Sequence, residues 1–246
     1  MLTLFKSKPT LKDLIPDNYV DIHSHLLPGI DDGAKTFEDT LELGKGLLDF
    51  GFSQFITTPH IYQNVWDNTQ EQIKTVEATT KLELKKNGIS VPFRAAAEYL
   101  LNDNFIQLCQ TGEILTLKDT YVLVEISYTN PPIQLYSIIF DLRVAGYTPV
   151  LAHPERYVYY HYDFDEYLKL KKAGCYFQLN LLSAVGYYGE GITKIADKLL
   201  QKGLYDFVGS DVHHANHIAG FNEKVKLKNL VALKEIIANN QFFRME

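Results

Sequence analysis

Two pairs of potential metal ligands stand two residues apart in widely separated parts of the chain, His23 and His25 in Asp-Ile-His-Ser-His and Asp211 and His213 in Gly-Ser-Asp-Val-His. Side chains at i and i+2 of a strand point the same way, so each pair can offer two donors to one cation. Such a pair alone is a weak signal, because solvated loop histidines give the same spacing. The signal strengthens with His60 in Thr-Thr-Pro-His, Glu98 in Ala-Ala-Glu-Tyr, Glu125 in Leu-Val-Glu-Ile-Ser and His153 in Ala-His-Pro-Glu. Each follows an apolar run and sits at its C-terminal end. Glu98 and Glu125 interrupt otherwise apolar sequence, where an unpaired carboxylate is costly and a bound cation or a buried arginine would compensate it. An acid from Pro-Gly-Ile-Asp-Asp-Gly, Asp31 or Asp32, follows the first pair, although Asp-Asp-Gly is also ordinary turn chemistry.

The elements that must carry these residues alternate along the chain. Seven β-rich runs (19–23, 54–58, 92–97, 121–126, 148–152, 176–181 and 206–209) are separated by stretches with helical periodicity (36–50, 69–87, 134–145, 165–173, 193–202 and 222–238). Gly51, Gly88, Gly146, Gly174 and Gly203 follow helical stretches, where a left-handed C-cap is easiest for glycine. Strand–helix alternation predicts an α/β fold with a parallel sheet, either a closed barrel or an open doubly wound sheet. Six of the seven runs end in a metal-binding residue type. Only a closed barrel gathers several strand ends around one point, so the expectation is a (β/α)7 TIM-like barrel with its site at the C-terminal face.

In these combined motifs, DIHSHLLPGIDDG, TTPH, AAEY, LVEIS, LAHPERY, QLN and GSDVHH, the chain resembles the PHP (polymerase and histidinol phosphatase) superfamily. Within it the resemblance is to the bacterial protein-tyrosine phosphatases of capsule and exopolysaccharide loci, over nearly the whole span from Asp21 to about His217. That resemblance implies a distorted (β/α)7 barrel holding three divalent ions, manganese first, with iron, zinc or magnesium as alternatives. It implies His23, His25, Glu98 and Asp211 around a first ion, Glu98 bridging to a second completed by Glu125 and His153, and Asp32, His60 and His213 around a third. Arg156 matches the family's phosphate-contacting arginine. Related phosphatases carry another arginine after the Ser-Asp-x-His motif, whereas this chain reads HHANHIAG, leaving His217 or His214 as a replacement phosphate donor. The implied substrate is a phosphotyrosyl protein, the C-terminal tail of a bacterial tyrosine kinase.

The 246 residues suit one domain, read as an N-terminal extension over 1–18 and a barrel over 19–246. A net charge of −6 with scattered basic residues argues against nucleic acid or an anionic membrane as partner. Three divalent ions against four carboxylate ligands would nevertheless leave a local surplus of about two positive charges, enough to attract a phosphate dianion. The N-terminal sequence lacks the apolar core of a signal peptide, and no run is long and apolar enough to span a membrane, so a cytoplasmic protein is expected. Cys109 and Cys175 fit neither a metal knuckle nor the C-x5-R loop of thiol-dependent tyrosine phosphatases. The expected nucleophile is therefore hydroxide made by metal ions, with Arg156 neutralising the phosphoryl oxygens and His213 or His217 assisting the leaving group. The run Tyr157, Tyr159, Tyr160 and Tyr162 offers either an aromatic platform or loop packing. Two other readings compete: a phosphatase for a small alcohol phosphate such as histidinol phosphate, and a noncatalytic docking regulator of the kinase. An intact ligand set disfavours the latter.

Overall fold

A computed structural model describes residues 7–112 and 114–245. Its strands are β1 (Tyr19–Asp21), β2 (Phe52–Thr57), β3 (His60–Ile61), β4 (Phe93–Ala95), β5 (Glu98–Leu100), β6 (Tyr121–Glu125), β7 (Thr148–Ala152), β8 (Tyr176–Asn180) and β9 (Phe207–Gly209). All pair in parallel, in the orders β1-β2-β4 and β3-β5-β6-β7-β8-β9. The second and third expected runs are each followed by a further short strand, β3 and β5, after breaks at Thr58–Pro59 and at Ala96–Ala97, so nine strands appear where seven runs were expected. Proline at 59 has no N–H to give the ladder, which accounts for the first break. The fold is otherwise the expected mixed α/β arrangement of parallel strands with helices between them.

The ring closes between its first and last strands. Asp211 donates its backbone N–H to the His23 carbonyl at 2.7 Å, and His25 donates to the Val212 carbonyl at 3.0 Å. Ser210 Oγ donates to Asp21 Oδ2 at 2.7 Å, adding a side-chain tie across the same seam. Below it the buried Asn240 amide donates to the carbonyls of Val20 and Val208 and to the Tyr19 hydroxyl, and accepts from the Val208 N–H. One side chain thus serves the ends of β1 and β9 that would otherwise leave buried polar groups unpaired.

Strand alternation sorts side chains between two cores. On β6, Tyr121 and Leu123 face the barrel interior with Val20, Ile56 and Val150, while Val122 and Val124 face the helices. Glu125 continues the inward series and arrives at the top of the barrel. The period of two that fills the base with apolar groups therefore also aims the carboxylate at the site.

The helices are α1 (Phe37–Leu48), α2 (Gln70–Lys86), α3 (Asp103–Thr111), α4 (Leu135–Val144), α5 (Asp165–Lys172), α6 (Glu190–Gln201), α7 (Ala215–Gly220) and α8 (Leu230–Asn239). Thr36 and Thr69 start α1 and α2 with reciprocal capping boxes. The five glycines named above all have positive φ, as the C-cap reading requires. Helices α3 and α7 were not expected, and α8 begins later than residue 222. Residues 225–228 instead run as an extended strap, bonded to Pro9, Ala184 and the Asp197 carboxylate, before Asn229 caps α8. Residues 1–6 of the proposed extension lie outside the described residues. From Thr10 onward the segment lies against 221–224, with Leu11, Leu14 and Ile15 buried.

Candidate metal centre

Nine expected ligands converge at the C-terminal ends of the strands. Their donor atoms fall into overlapping groups within 4.8 Å: His23, His25 and Asp211; His25, Asp32, His60 and His213; His23, Glu98 and His153; and His60, Glu98 and Glu125. Glu98 is the hub. Its Oε2 lies 3.1 Å from His23 Nε2 and 3.4 Å from His60 Nδ1, and its Oε1 lies 3.1 Å from His153 Nε2. Glu125 and His153 fall in different groups, joined through Glu98. His60 Nε2 and His213 Nε2 each stand 3.5 Å from the half-exposed Asp32 carboxylate.

The Asp31–Asp32 ambiguity resolves into two jobs. Asp31 is buried and turns inward, accepting from His25 Nδ1 at 2.7 Å, from Gly33 N–H at 2.9 Å and from His60 N–H at 3.2 Å. Asp32 points into the cluster. Asp31 thereby fixes the His25 ring with Nε2 facing the other ligands. Gln178 does the same for His23: its amide nitrogen donates to the Leu179 carbonyl, which leaves its oxygen 2.8 Å from His23 Nδ1. Asn180 donates to Asp211 Oδ2 at 2.7 Å. These neutral amides carry no charge signature; the QLN motif marked them as part of the resemblance without giving them a role.

A divalent cation fits the donor set. His25 Nε2 and His60 Nδ1 are buried with no hydrogen-bond partner, an expensive arrangement unless another group completes it. Burial opposes protonation of His23 and His25, yet Glu98 and Asp211 lift the first well above its ordinary value, and Asp31 lifts the second to about 10. Burial likewise works against ionised Glu98 and Asp211, but His23 holds both carboxylates low. Protons thus balance these carboxylates where a borderline cation with imidazole and carboxylate ligands would do so directly. His153 and Asp211 both adopt positive φ, 36° and 50°, strain that clusters where side chains must be aimed precisely toward a site.

A cavity of about 400 Å³ opens above the cluster, lined by Asp32, His60, Glu98, Glu125, His153, Arg156, Asp211 and His213 together with Tyr62, Trp66 and Tyr128. Arg156 reaches it from between the Tyr128 and Tyr188 rings, at 4.9 and 4.2 Å, with Nη1 2.8 Å from Asp211 Oδ2. His217 is buried on α7 outside this lining, Nδ1 against the backbone of Asp211 and His213. Burial and neighbouring His214 lower its pKa to about 4, so it is uncharged at neutral pH. His214 lines the adjoining hollow with Asp32 and Lys35. The tyrosine run packs the loop: Tyr157 is buried with its hydroxyl on Ile126 N–H and the Ala152 carbonyl, Tyr159 bonds the Ser127 carbonyl, and Tyr162 points to solvent.

A parallel barrel with a histidine–carboxylate cluster at its C-terminal face defines a metal-dependent TIM-barrel-type hydrolase, and an amidohydrolase from Mycoplasma synoviae shares that fold at a TM-score of 0.54 and 12% identity. The chain belongs to the capsular polysaccharide synthesis CpsB/CapC family, whose model matches residues 19–225. The tyrosine-protein phosphatase YwqE of Bacillus subtilis is 29% identical over 196 residues, which cover 79% of this chain and 77% of that protein. The tyrosine-protein phosphatase CpsB of Streptococcus pneumoniae is 27% identical over 201 residues, covering 79% and 83%. Crystal structures of YwqE and CpsB, described as unique metal-dependent tyrosine phosphatases, include a chain that superposes with a TM-score of 0.77 at 27% identity, over 89% of this chain and 94% of that one.

Proposed function

We propose that this chain is a metal-dependent protein-tyrosine phosphatase that hydrolyses phosphotyrosine on the C-terminal tail of a bacterial tyrosine kinase of polysaccharide export, in the cytoplasm. The observation that carries the reading is the convergence of nine imidazole and carboxylate side chains beside a lone arginine at the base of one cavity. Membership of a family with tyrosine-phosphatase relatives supports the substrate. No helix among the described residues is long and apolar enough to cross a membrane.

We assign three ions, manganese first, to His23, His25, Glu98 and Asp211; to Glu98, Glu125 and His153; and to Asp32, His60 and His213. When bound, such ions supply Lewis-acid charge and a water whose pKa is lowered toward about 7. The chain's own residues do the rest. Arg156, stiffened between two tyrosine rings, binds the phosphoryl oxygens and neutralises their charge during transfer. Asp31 and Gln178 keep His25 and His23 in the tautomers that present Nε2 to the cluster. A departing phenolate has a pKa of about 10 and needs little protonation, so His213 can serve as a ligand and no protein proton donor is required. His217, neutral and outside the cavity lining, positions the turn that carries Asp211 and His213.

The test is to strip the protein with chelator and measure phosphate release from a phosphotyrosyl peptide, a phosphoseryl peptide and histidinol phosphate, with and without manganese, reading metal content in parallel. Manganese-restored turnover that prefers phosphotyrosine is the expected result. Preference for histidinol phosphate would refute the substrate while keeping the chemistry, and metal uptake without any turnover would favour a docking role.

A further inference from the structure

The sequence contains a single tryptophan, and it lies in the cavity lining. Tyr62 and Trp66 close a tight hairpin immediately after the β3 ligand His60, with Tyr62 N–H donating to the Trp66 carbonyl at 3.0 Å and Trp66 N–H returning to the Tyr62 carbonyl at 2.8 Å. Asn64 takes the left-handed conformation at its tip, φ 66°, and its N–H is held by the Asp67 carboxylate. The indole lies parallel to the His60 ring, centroids 4.6 Å apart and planes 15° apart, and Tyr62 braces it edge-on at 6.2 Å. Tyr128 stacks in the same manner on His153 at 5.7 Å and 21°, and it remains 46% exposed. Two aromatic side chains that line one cavity are therefore each stacked on a proposed metal ligand. Leu100 and Ile126 supply the remaining apolar lining, and Arg156 is its sole arginine or lysine.

We propose that Trp66, on its hydrogen-bonded hairpin, is the specificity-determining wall that receives the phenyl ring of an aryl phosphate, with Tyr128 bounding the same space; this rests on the phosphatase reading above. A phosphoryl group held by Arg156 and the cluster leaves its ester substituent in the aromatic part of the cavity. A flat ring stacks there and excludes water. An alkyl substituent makes no such contact, so discrimination falls on the wall and not on the ions.

The probes are phenylphosphonate and methylphosphonate, which present the same anion with and without the ring and cannot be hydrolysed. With the protein loaded with magnesium or zinc, phenylphosphonate is expected to change the emission of the sole tryptophan saturably, and methylphosphonate at equal occupancy is not. Read by titration calorimetry, because these variants have no tryptophan emission, Trp66→Leu should weaken phenylphosphonate by about 2- to 12-fold, the span of one aromatic pair, and Trp66→Phe should recover most of it. Trp66→Leu should also lower the phosphotyrosyl-to-phosphoseryl ratio of kcat/KM through KM. Equal weakening of both phosphonates would mean that Trp66 merely supports His60 and would overturn the proposal, as would emission that ignores phenylphosphonate. If the parent protein shows no metal-dependent phosphotyrosine turnover, the functional reading fails by itself, and the paired phosphonate titrations still decide the role of Trp66.

Discussion

At the residue scale, adjacent aspartates in one turn are separated by what each touches. Asp31 bonds the outer nitrogen of His25 and the backbone of the next ligand, so Asp31→Ala should leave the fold intact and weaken metal binding by about 10- to 100-fold, measured by competition with a chromophoric chelator. Undiminished affinity would reduce Asp31 to a turn residue. Arg156→Ala should raise KM for a phosphotyrosyl peptide while metal content per chain stays at the parental value. Coincident loss of metal would instead mark Arg156 as a support for Asp211, which it touches at 2.8 Å.

At the scale of elements, the Asn240 amide ties the seam between β1 and β9 from below. Asn240→Ala leaves buried groups on Val20 and Val208 unpaired and should lower unfolding stability by at least about 2 kcal/mol, read from a denaturant midpoint. A midpoint unchanged from the parent would show that water or a backbone shift replaces the amide. Much of this architecture was legible beforehand, because parallel strands bring their C-terminal ends to one face. Glu125 at the end of Tyr-Val-Leu-Val-Glu follows strand alternation, whereas His23, His25, Asp211 and His213 lie just beyond β1 and β9, and the left-handed backbone of Asp211 sends it and His213 to different donor groups instead of pairing them on one strand face. Asp31 and Asp32 could not be told apart, since a turn's direction depends on what packs beneath it. Gln178 and Asn180 stood in the QLN motif, but their roles were not legible, because the value of neutral amides lies in long-range partners. Trp66 was missed because a lone aromatic in a polar loop has no periodicity. The tyrosine run drew attention through density alone and turned out to hold the loop together. The helix expected from 222 starts only at Leu230, because apolar residues of the strap at 225–228 mimic helical spacing while their backbone bonds go to other segments.

At the scale of the whole molecule, the ligand cluster sets how stability responds to pH. His25 has an ordinary pKa of 6.5 and is held at about 10 in the folded chain, because Asp31 outweighs the burial that opposes its charge. A pKa raised by folding gives stability that is complete below 6.5 and lost as pH climbs through 10. Asp31 is displaced the other way, so its share is present above 3.8 and lost on acidification. Chelated protein should therefore show a Tm that falls between pH 6.5 and 10, while metal-loaded protein falls less because the cation replaces the proton. Equal slopes for the two forms would contradict proton–metal exchange at His25. The seam has a further consequence, for the order of events during synthesis. The Asn240 amide bonds to Val20 across 220 positions of sequence, and Ser210 to Asp21 across 189. A ribosome delivers His23 and His25 long before the partners that complete their end of the barrel, so the earliest ligands must wait as part of an unclosed sheet. Loop closure over such a span is slow, so stable metal capture should follow synthesis of β9, and a truncated chain lacking β9 should retain less metal per chain than the parent.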